Sequence, residues 1–293
     1  MKAAPFAYAR PATVDGVLAE LAASGGEGKV LAGGQSLVPV LAMRLARPSV
    51  LVDINAVEGL NQISLNEHVL RVGATTRQRD LERDERTAAV PLLGLALPWV
   101  GHRELRSRGT VCGSLAHADP AAELPAVAAC LGAALEIAGP GGRRTVRARE
   151  FFTGAMTTVV GPEEVLTGAS FPVAGPGEGF GFAEFARRHG DFALAGVGVR
   201  VGRSPREAVL AAFGVSDRPV VRDVTGLLDG TGATDVEPIA EALAGPMAAL
   251  AEEIVDTGGD AHASAAYRRR LFGALAAREL AQAQVRSLGE ESA

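Results

Sequence analysis

The sequence predicts an α+β chain: two mixed helix-and-strand units, then a strand-rich stretch and a helical end. Three observations carry this. Short apolar runs rich in Val, Leu and Ile recur through the first two thirds, several of them bounded by Gly or Pro. Segments with helical spacing separate them. The last third keeps helical spacing to near its end. At 293 residues the chain is long enough for one large or two medium domains with a substantial core.

The N-terminus reads as a short extended entry. A helix follows, capped by Thr13 or Asp15, with Val14, Val17, Leu18 and Leu21 at helical spacing and Ser24-Gly25-Gly26 at its end. Lys29-Val30-Leu31-Ala32 is a buried strand that runs into Gly33-Gly34-Gln35-Ser36. A helical turn then carries Leu37, Val40, Leu41 and Leu45 on one face, and Ser49 to Ile54 is another buried strand. From Ile63 the pattern changes. Val69 to Gly73 is a strand, Thr76 caps the helix after it, and Leu92 to Val100 is helical and mostly buried. The stretch from Arg108 to Ser114 is glycine-bounded, and Asp119-Pro120 starts a helix. Leu135 to Ala138 and Arg143 to Val146 form a hairpin around Gly139-Pro140-Gly141-Gly142, and Val165 to Ala169 is one more strand. Ala174 to Gly179 is the linker. Beyond it Phe180 to Phe185, Leu194 to Val201 and Ala208 to Val215 read as three strands, and helices complete the chain.

Composition excludes several function classes. The net charge of -5 argues against a binder of nucleic-acid backbone, which carries a concentrated basic surface. Apolar runs are broken well before the roughly 18 residues a membrane span needs, and the first residues lack the apolar core of a secretory signal. The expectation is a soluble, cytoplasmic protein. Two cysteines, Cys112 and Cys130, are too few for an iron–sulfur cluster, which takes about four thiolates. No metal-ligand spacing and no Ser-His-Asp set is visible, so neither a metal site nor a catalytic residue is expected. Glycine is abundant, 36 residues, and it clusters where backbone must approach something closely.

Two of those clusters share a form: a short apolar strand, two small residues in a tight turn, then Ser. They are Ala32-Gly33-Gly34-Gln35-Ser36 and Thr110-Val111-Cys112-Gly113-Ser114. Converging backbone N–H groups and a hydroxyl would bind an anion, and two such loops would clamp a diphosphate. Each loop alone reads more readily as a strand-end turn. A Rossmann fingerprint is absent, because Gly33-Gly34 does not fit G-x-G-x-x-G and the run from Gly175 to Gly181 has no opening strand. No P-loop motif exists either.

Four segments, in order along the chain, carry a resemblance. They are Leu31 to Leu37, with Arg47-Pro48 and Leu51 to Ile54 after it; Arg108 to Pro125; Ala186 to Leu194; and Tyr267 to Leu271. Together they resemble the medium, FAD-binding subunit of the xanthine dehydrogenase and carbon-monoxide dehydrogenase family of molybdenum hydroxylases. The resemblance implies an FAD-binding fold of the vanillyl-alcohol-oxidase type in two α+β subdomains, followed by a small C-terminal α+β domain with a three-stranded sheet and helices. The domains are then 1–175, with subdomains of about 1–60 and 61–175, and 178–293. It further implies that Ala32, Gly33, Gly34, Gln35, Ser36 and Leu37 face Thr110, Val111, Cys112, Gly113 and Ser114 across the FAD diphosphate. Glu123 takes the place of an acidic flavin contact, with Asp119 the nearer alternative. Leu166 matches a position near the flavin or adenine, and Phe192 one beside the isoalloxazine. His117, next to the second loop, is a flavin or phosphate contact or a structural residue; His102 reads as structural.

One departure stands out. The family's second loop reads Thr-Val-Gly-Gly, and Cys112 replaces its first Gly. A Cβ there restricts φ and narrows the approach to phosphate, so binding is expected to survive with a shifted loop, and Cys112→Gly to keep or improve FAD retention. The resemblance implies partners as well: a molybdopterin-containing large subunit and a small subunit with two [2Fe–2S] clusters, in a dimer of heterotrimers. Electrons pass from the clusters to FAD and on to NAD, oxygen or a quinone. The alternatives are a stand-alone flavin-dependent oxidoreductase on the same fold and a scaffold that has lost flavin. Arg187, Arg188 and Arg268 to Arg270 are solvated faces or a docking surface for a partner.

Overall fold

A computed structural model describes residues 2–203, 206–228 and 234–289; residues 290–293 of the expected C-terminal domain lie outside the described residues. The N-terminal unit is a parallel three-stranded sheet. Val50–Asp53 lies at its centre between Ala7–Ala9 and Gly28–Leu31. Its helix Val14–Ala23 starts at Thr13, whose hydroxyl accepts from the Gly16 N–H at 3.1 Å, so Thr13 rather than Asp15 is the cap. Val17 and Leu21 are its buried positions. The turn after the first glycine loop is helical over Leu37–Ala42, but only Leu41 is buried and Leu45 is 74% exposed, against the single apolar face expected.

The second unit is an antiparallel five-stranded sheet in the order Ile63–Leu65, Val69–Gly73, Val165–Pro172, Ala134–Gly139, Gly142–Arg147. The hairpin about Gly139 is present, and the long, largely buried strand Val165–Pro172 occupies the middle. Its register slips by one residue between Leu166 and Gly168. Thr76 does not cap the next helix. That helix, Gln78–Arg83, starts from Arg77 without a side-chain cap, and the Thr76 hydroxyl sits 3.5 Å from the Gln62 carbonyl.

The C-terminal sheet is antiparallel and has four strands, not three: Gly179–Phe185, Ala195–Arg203, Arg206–Phe213 and Val220–Asp223. The fourth is a short, half-exposed edge strand. Two helices, Val236–Ile254 and Ala265–Gly289, cover one face of this sheet. The second helix lies so close that a Cβ at Gly179 or Gly181 would run into the carbonyl oxygens of Ala283 and Glu279, so both positions must be bare.

The opposite face of the same sheet presents Phe180, Phe182, Val209, Ala211 and Phe213 to the core of the second unit. Between them runs the helix Glu123–Leu131, buried at every position from Glu123 to Cys130. The Cys130 thiol lies 3.5 Å from the Gly198 carbonyl and 3.7 Å from that of Val209, both in the C-terminal sheet. This helix belongs to one unit by sequence and to both by packing.

Arg268 is no part of a solvated or docking face. It is 6% exposed, and its guanidinium donates to the carbonyls of Leu194 (2.6 Å) and Gly214 (2.8 Å) and to Asp260 (2.7 Å). It ties the last helix to two sheet connections. Arg269 pairs with Glu252, while Arg187 and Arg188 stay exposed in a hairpin loop.

Candidate functional site

The first glycine loop is built as expected. Strand Gly28–Leu31 delivers the chain into it, and Gly34 takes φ +74°, a conformation that side chains other than Gly rarely adopt. At Gly33 the constraint is contact: a Cβ would be driven into the Arg108 carbonyl oxygen and to within 2.8 Å of the Gly109 Cα. The two loops, far apart in sequence, therefore touch backbone to backbone. Among the described residues the N–H groups of Gly34, Gln35 and Ser36 have no hydrogen-bond partner, a run of consecutive free donors suited to an anion. Gln35 turns its own side chain back onto the Gly33 carbonyl at 3.3 Å.

The second segment is not a strand followed by a turn. Thr110 makes one bridge to Arg77, and Val111–His117 is already a helix. Thr110 is its N-cap, its hydroxyl accepting from the Gly113 N–H at 3.0 Å. The N–H groups of Val111 and Ser114 are taken by the carbonyls of Thr76 and Thr110. The Cys112 N–H is left without a partner among the described residues. Cys112 itself is helical, and its side chain points into the core, 2% exposed, with Sγ 3.8 Å from the Val72 carbonyl. Burial pushes the thiol pKa up to about 12. The residue sits in ordinary helical backbone, so its Cβ imposes no loss of backbone freedom at this position.

The helix ends at His117 with Ala118 left-handed at φ +52°. Asp119 closes a turn by accepting from the Ala121 N–H (2.9 Å), so the next helix starts at Glu123 and not at Asp119-Pro120. Glu123 is 8% exposed, and burial and the nearby Asp119 raise its carboxyl to about 7. Glu184, from strand Gly179–Phe185 of the other unit, is equally buried. Burial raises it to about 8, and the charge of Glu123 adds to the effect. Its Oε2 is buried without a partner. Both carboxyls lie at the seam between the units, near enough that the charge of Glu123 adds to the rise at Glu184. Glu184 was not legible in the sequence. Its only signal is a charged residue among the apolar inward positions Phe180 and Phe182.

Leu166 is buried beside the register slip of its strand. Phe192 is 72% exposed in the loop between Phe185 and Ala195. His189 in that loop packs edge-on to Trp99 with ring centroids 5.7 Å apart, and 6.3 Å from His102. His102 precedes the helix Arg103–Arg106 that leads into Arg108, so the Phe192 loop rests on the approach to the second glycine segment. His117 and Asp119 are half-buried.

Sequence reading also missed a network under the first loop. The Asn55 Nδ2 donates to the Ala32 carbonyl (2.8 Å) and to Asp53 Oδ1 (2.6 Å), and its Oδ1 accepts from Arg77 (2.7 Å). Arg77 also donates to the Arg108 carbonyl at 2.5 Å. Tyr8 closes the far end by donating to Asp53 Oδ2 at 2.5 Å, and the hydrogen bonds Asp53 accepts hold its carboxyl below the usual range despite burial. Among the described residues no group of three or more His, Cys, Asp or Glu is placed to hold a metal ion, and no helix is long and apolar enough to cross a membrane.

Comparison with known proteins agrees along the whole chain. Residues 4–174 match the family described as FAD binding domain in molybdopterin dehydrogenase, and residues 180–283 match the CO dehydrogenase flavoprotein C-terminal domain. The chain is 34% identical to the 6-hydroxypseudooxynicotine dehydrogenase complex subunit alpha of Paenarthrobacter nicotinovorans, over 97% of this chain and 96% of that protein. Among solved structures it is similar to quinoline 2-oxidoreductase from Pseudomonas putida 86, with TM-score 0.87, 35% identity, and coverage of 97% of this chain and 100% of the other. A chain of reconstituted CO dehydrogenase from Oligotropha carboxidovorans superposes with TM-score 0.88 at 32% identity, covering 98% and 100% of the two chains.

Proposed function

The chain belongs to the FAD-binding medium subunits of the molybdenum hydroxylase family, oxidoreductase components of multi-subunit complexes, and from that premise we propose that it is the electron outlet of its complex. In this reading electrons come from the [2Fe–2S] clusters of a small subunit, after substrate oxidation at a molybdenum cofactor in a large one. They leave through FAD to an external acceptor, from a cytoplasmic dimer of heterotrimers. We divide the chain into 1–175, which holds the cofactor, and 178–293, which closes over it.

The observation that carries the reading is the abutting pair of glycine segments. The run of unpartnered N–H groups at Gly34 to Ser36 and the free Cys112 N–H make a cradle of donors, and the bare Cα at Gly33 lets the two segments close on each other, since a side chain there would push against the Arg108 carbonyl. That cradle fits a diphosphate. Bound there, FAD supplies the redox chemistry. The chain's own part is to bind and orient it. Thr110 to Ser114 and Ala32 to Leu37 take the phosphates, with His117 and Asp119 beside them. Glu123 and Glu184 offer one carboxyl donor and several acceptors to a polar edge of the cofactor. Leu166 would line the site, and the Phe192 loop with His189 and Trp99 would limit water at its edge. Val38, Met43 and Leu45, each about half exposed or more at the outer end of the first loop, give partner subunits an apolar surface.

Purification of the tagged chain from its native host tests this. The expected product is a yellow complex containing molybdenum, iron and FAD in fixed ratio, with two further subunits. A yellow chain without partners would make it a stand-alone flavoprotein. A colourless chain that takes up no FAD would overturn the reading.

A further inference from the structure

We propose that Arg77, clasped by Asn55, sets the spacing of the two glycine segments and places its guanidinium charge against the diphosphate of bound FAD. The inference rests on the function proposed above and adds residues that lie in neither glycine segment.

The clasp is a continuous hydrogen-bonded chain. It runs from Tyr8 through Asp53 and Asn55 to Arg77, and ends on the Arg108 carbonyl. Asn55 grips the first segment at the Ala32 carbonyl, and Arg77 grips the residue against which Gly33 is packed. The orientation of the Asn55 amide is fixed. Its nitrogen already donates twice and its oxygen accepts from Arg77, so a flipped amide would lose all three bonds. Backbone contacts reinforce the second grip: Arg77 is bridged to Thr110, and the Gln78 N–H donates to the Gly109 carbonyl at 2.9 Å. The planar fork of Arg suits this position, because it serves two acceptors in different directions while keeping its charge.

The charge on Arg77 points the same way. Every hydrogen-bond acceptor on Arg77 is neutral, an amide oxygen and a peptide carbonyl. Among the described residues no carboxylate lies within ion-pair distance of it. Asp53 and Asp80 act on it only at longer range, while burial and the neighbouring Arg108 disfavour its charge. A half-buried guanidinium beside a second one, held by neutral groups, is an unfavourable arrangement until an anion arrives. The unpartnered N–H groups of Gly34 to Ser36 sit on the same loop that Asn55 and Arg77 support. A diphosphate there would meet donors and countercharge together.

The test is FAD titration of the full chain freed of flavin, followed by flavin fluorescence at low and high salt, with circular dichroism as the check of folding. Wild type is expected to bind FAD more weakly as salt screens the site. Arg77→Gln is expected to bind about ten- to hundredfold more weakly at low salt, the usual scale for losing a charged hydrogen bond, with a flatter salt dependence. Arg77→Lys keeps charge but cannot serve both acceptors, so it should retain the wild-type salt dependence at intermediate affinity. Asn55→Ala should weaken binding and leave the salt dependence in place. The proposal is overturned if Arg77→Gln folds and keeps wild-type affinity, or loses affinity with unchanged salt dependence. If Arg77→Gln does not fold, Arg77→Lys decides, and loss of its salt dependence overturns the proposal. Wild type that binds no FAD at any salt would instead overturn the flavin reading itself.

Discussion

The two glycine segments look alike in sequence and are made by different means. At Ala32 to Ser36 the backbone is irregular: Gly34 is left-handed and Gly33 has a neighbouring backbone where a side chain would go. At Thr110 to Ser114 the backbone is the first turn of a helix with a threonine cap, and the side chain of Cys112 is directed inward. The first segment presents several N–H groups because nothing else uses them. The second presents few, because its cap and helix have consumed most. Tolerance of substitution should follow the same division, since a strained loop depends on residue type and a capped helix depends on its cap.

The largest effect is expected at Gly33. Gly33→Ala sets a methyl group against the Arg108 carbonyl, a backbone atom that cannot swing aside. FAD titration should show affinity reduced at least about a hundredfold, since separating the loops undoes the whole cradle. Unchanged affinity would mean that the contact between the segments is not what shapes the site.

Next comes the carboxyl pair beyond the second segment. Glu184 is raised well above its ordinary pKa, so the folded protein holds a proton that the unfolded chain releases. The sign follows: this contribution is fully present below about pH 4.5 and is lost as pH rises toward 8. Thermal melts should show the wild type weakening between pH 5 and 8, and Glu184→Gln weakening distinctly less over that range. Equal slopes would mean the pair is not coupled to folding.

Thr110→Ala should be milder. Loss of an N-cap costs about 1 kcal/mol, which lowers the melting temperature by about 2 °C in a chain this long and weakens FAD binding by no more than about tenfold. A collapse comparable to Gly33→Ala would erase the distinction between the two segments. The smallest effect on the cofactor belongs to Cys112. Cys112→Ala should leave FAD affinity within about twofold, while the small void costs about 1 kcal/mol of stability. The native thiol should also resist alkylation until the chain unfolds, which iodoacetamide labelling with mass spectrometry reads directly.

The sequence disclosed what local chemistry decides. Thr13 was one of two readable caps, and the apolar runs at Lys29 to Leu31, Val50 to Asp53 and Val165 to Ala169 are strands where the pattern put them. It misled where long-range partners win. Thr110-Val111 is β-branched and reads as a strand, and a helix of only seven residues is too short to display a period. Val220–Asp223 pairs only at a sheet edge, so half its residues stay polar or exposed and the strand pattern is faint. Arg268 sits in a run of three arginines and looked solvated; two distant carbonyls and Asp260 draw it inside. The glycine segments were legible as residues, yet their contact through Gly33 and Arg108 and the clasp by Asn55 and Arg77 join positions far apart in sequence. No local pattern encodes such pairings.

The buried helix Glu123–Leu131 has a consequence for how the protein is made. The chain has synthesised this helix long before the strands Ala195–Arg203 and Arg206–Phe213 that cover it. At ribosomal rates of about 5–20 residues per second, the roughly 80 intervening residues leave its apolar face bare for several seconds or longer. A chain stopped near residue 175 would remain in that state indefinitely, with Cys130 and its neighbours facing water. The half that holds the cofactor segments is therefore an unfinished surface until the other half leaves the ribosome, and the nascent chain needs shelter for that interval.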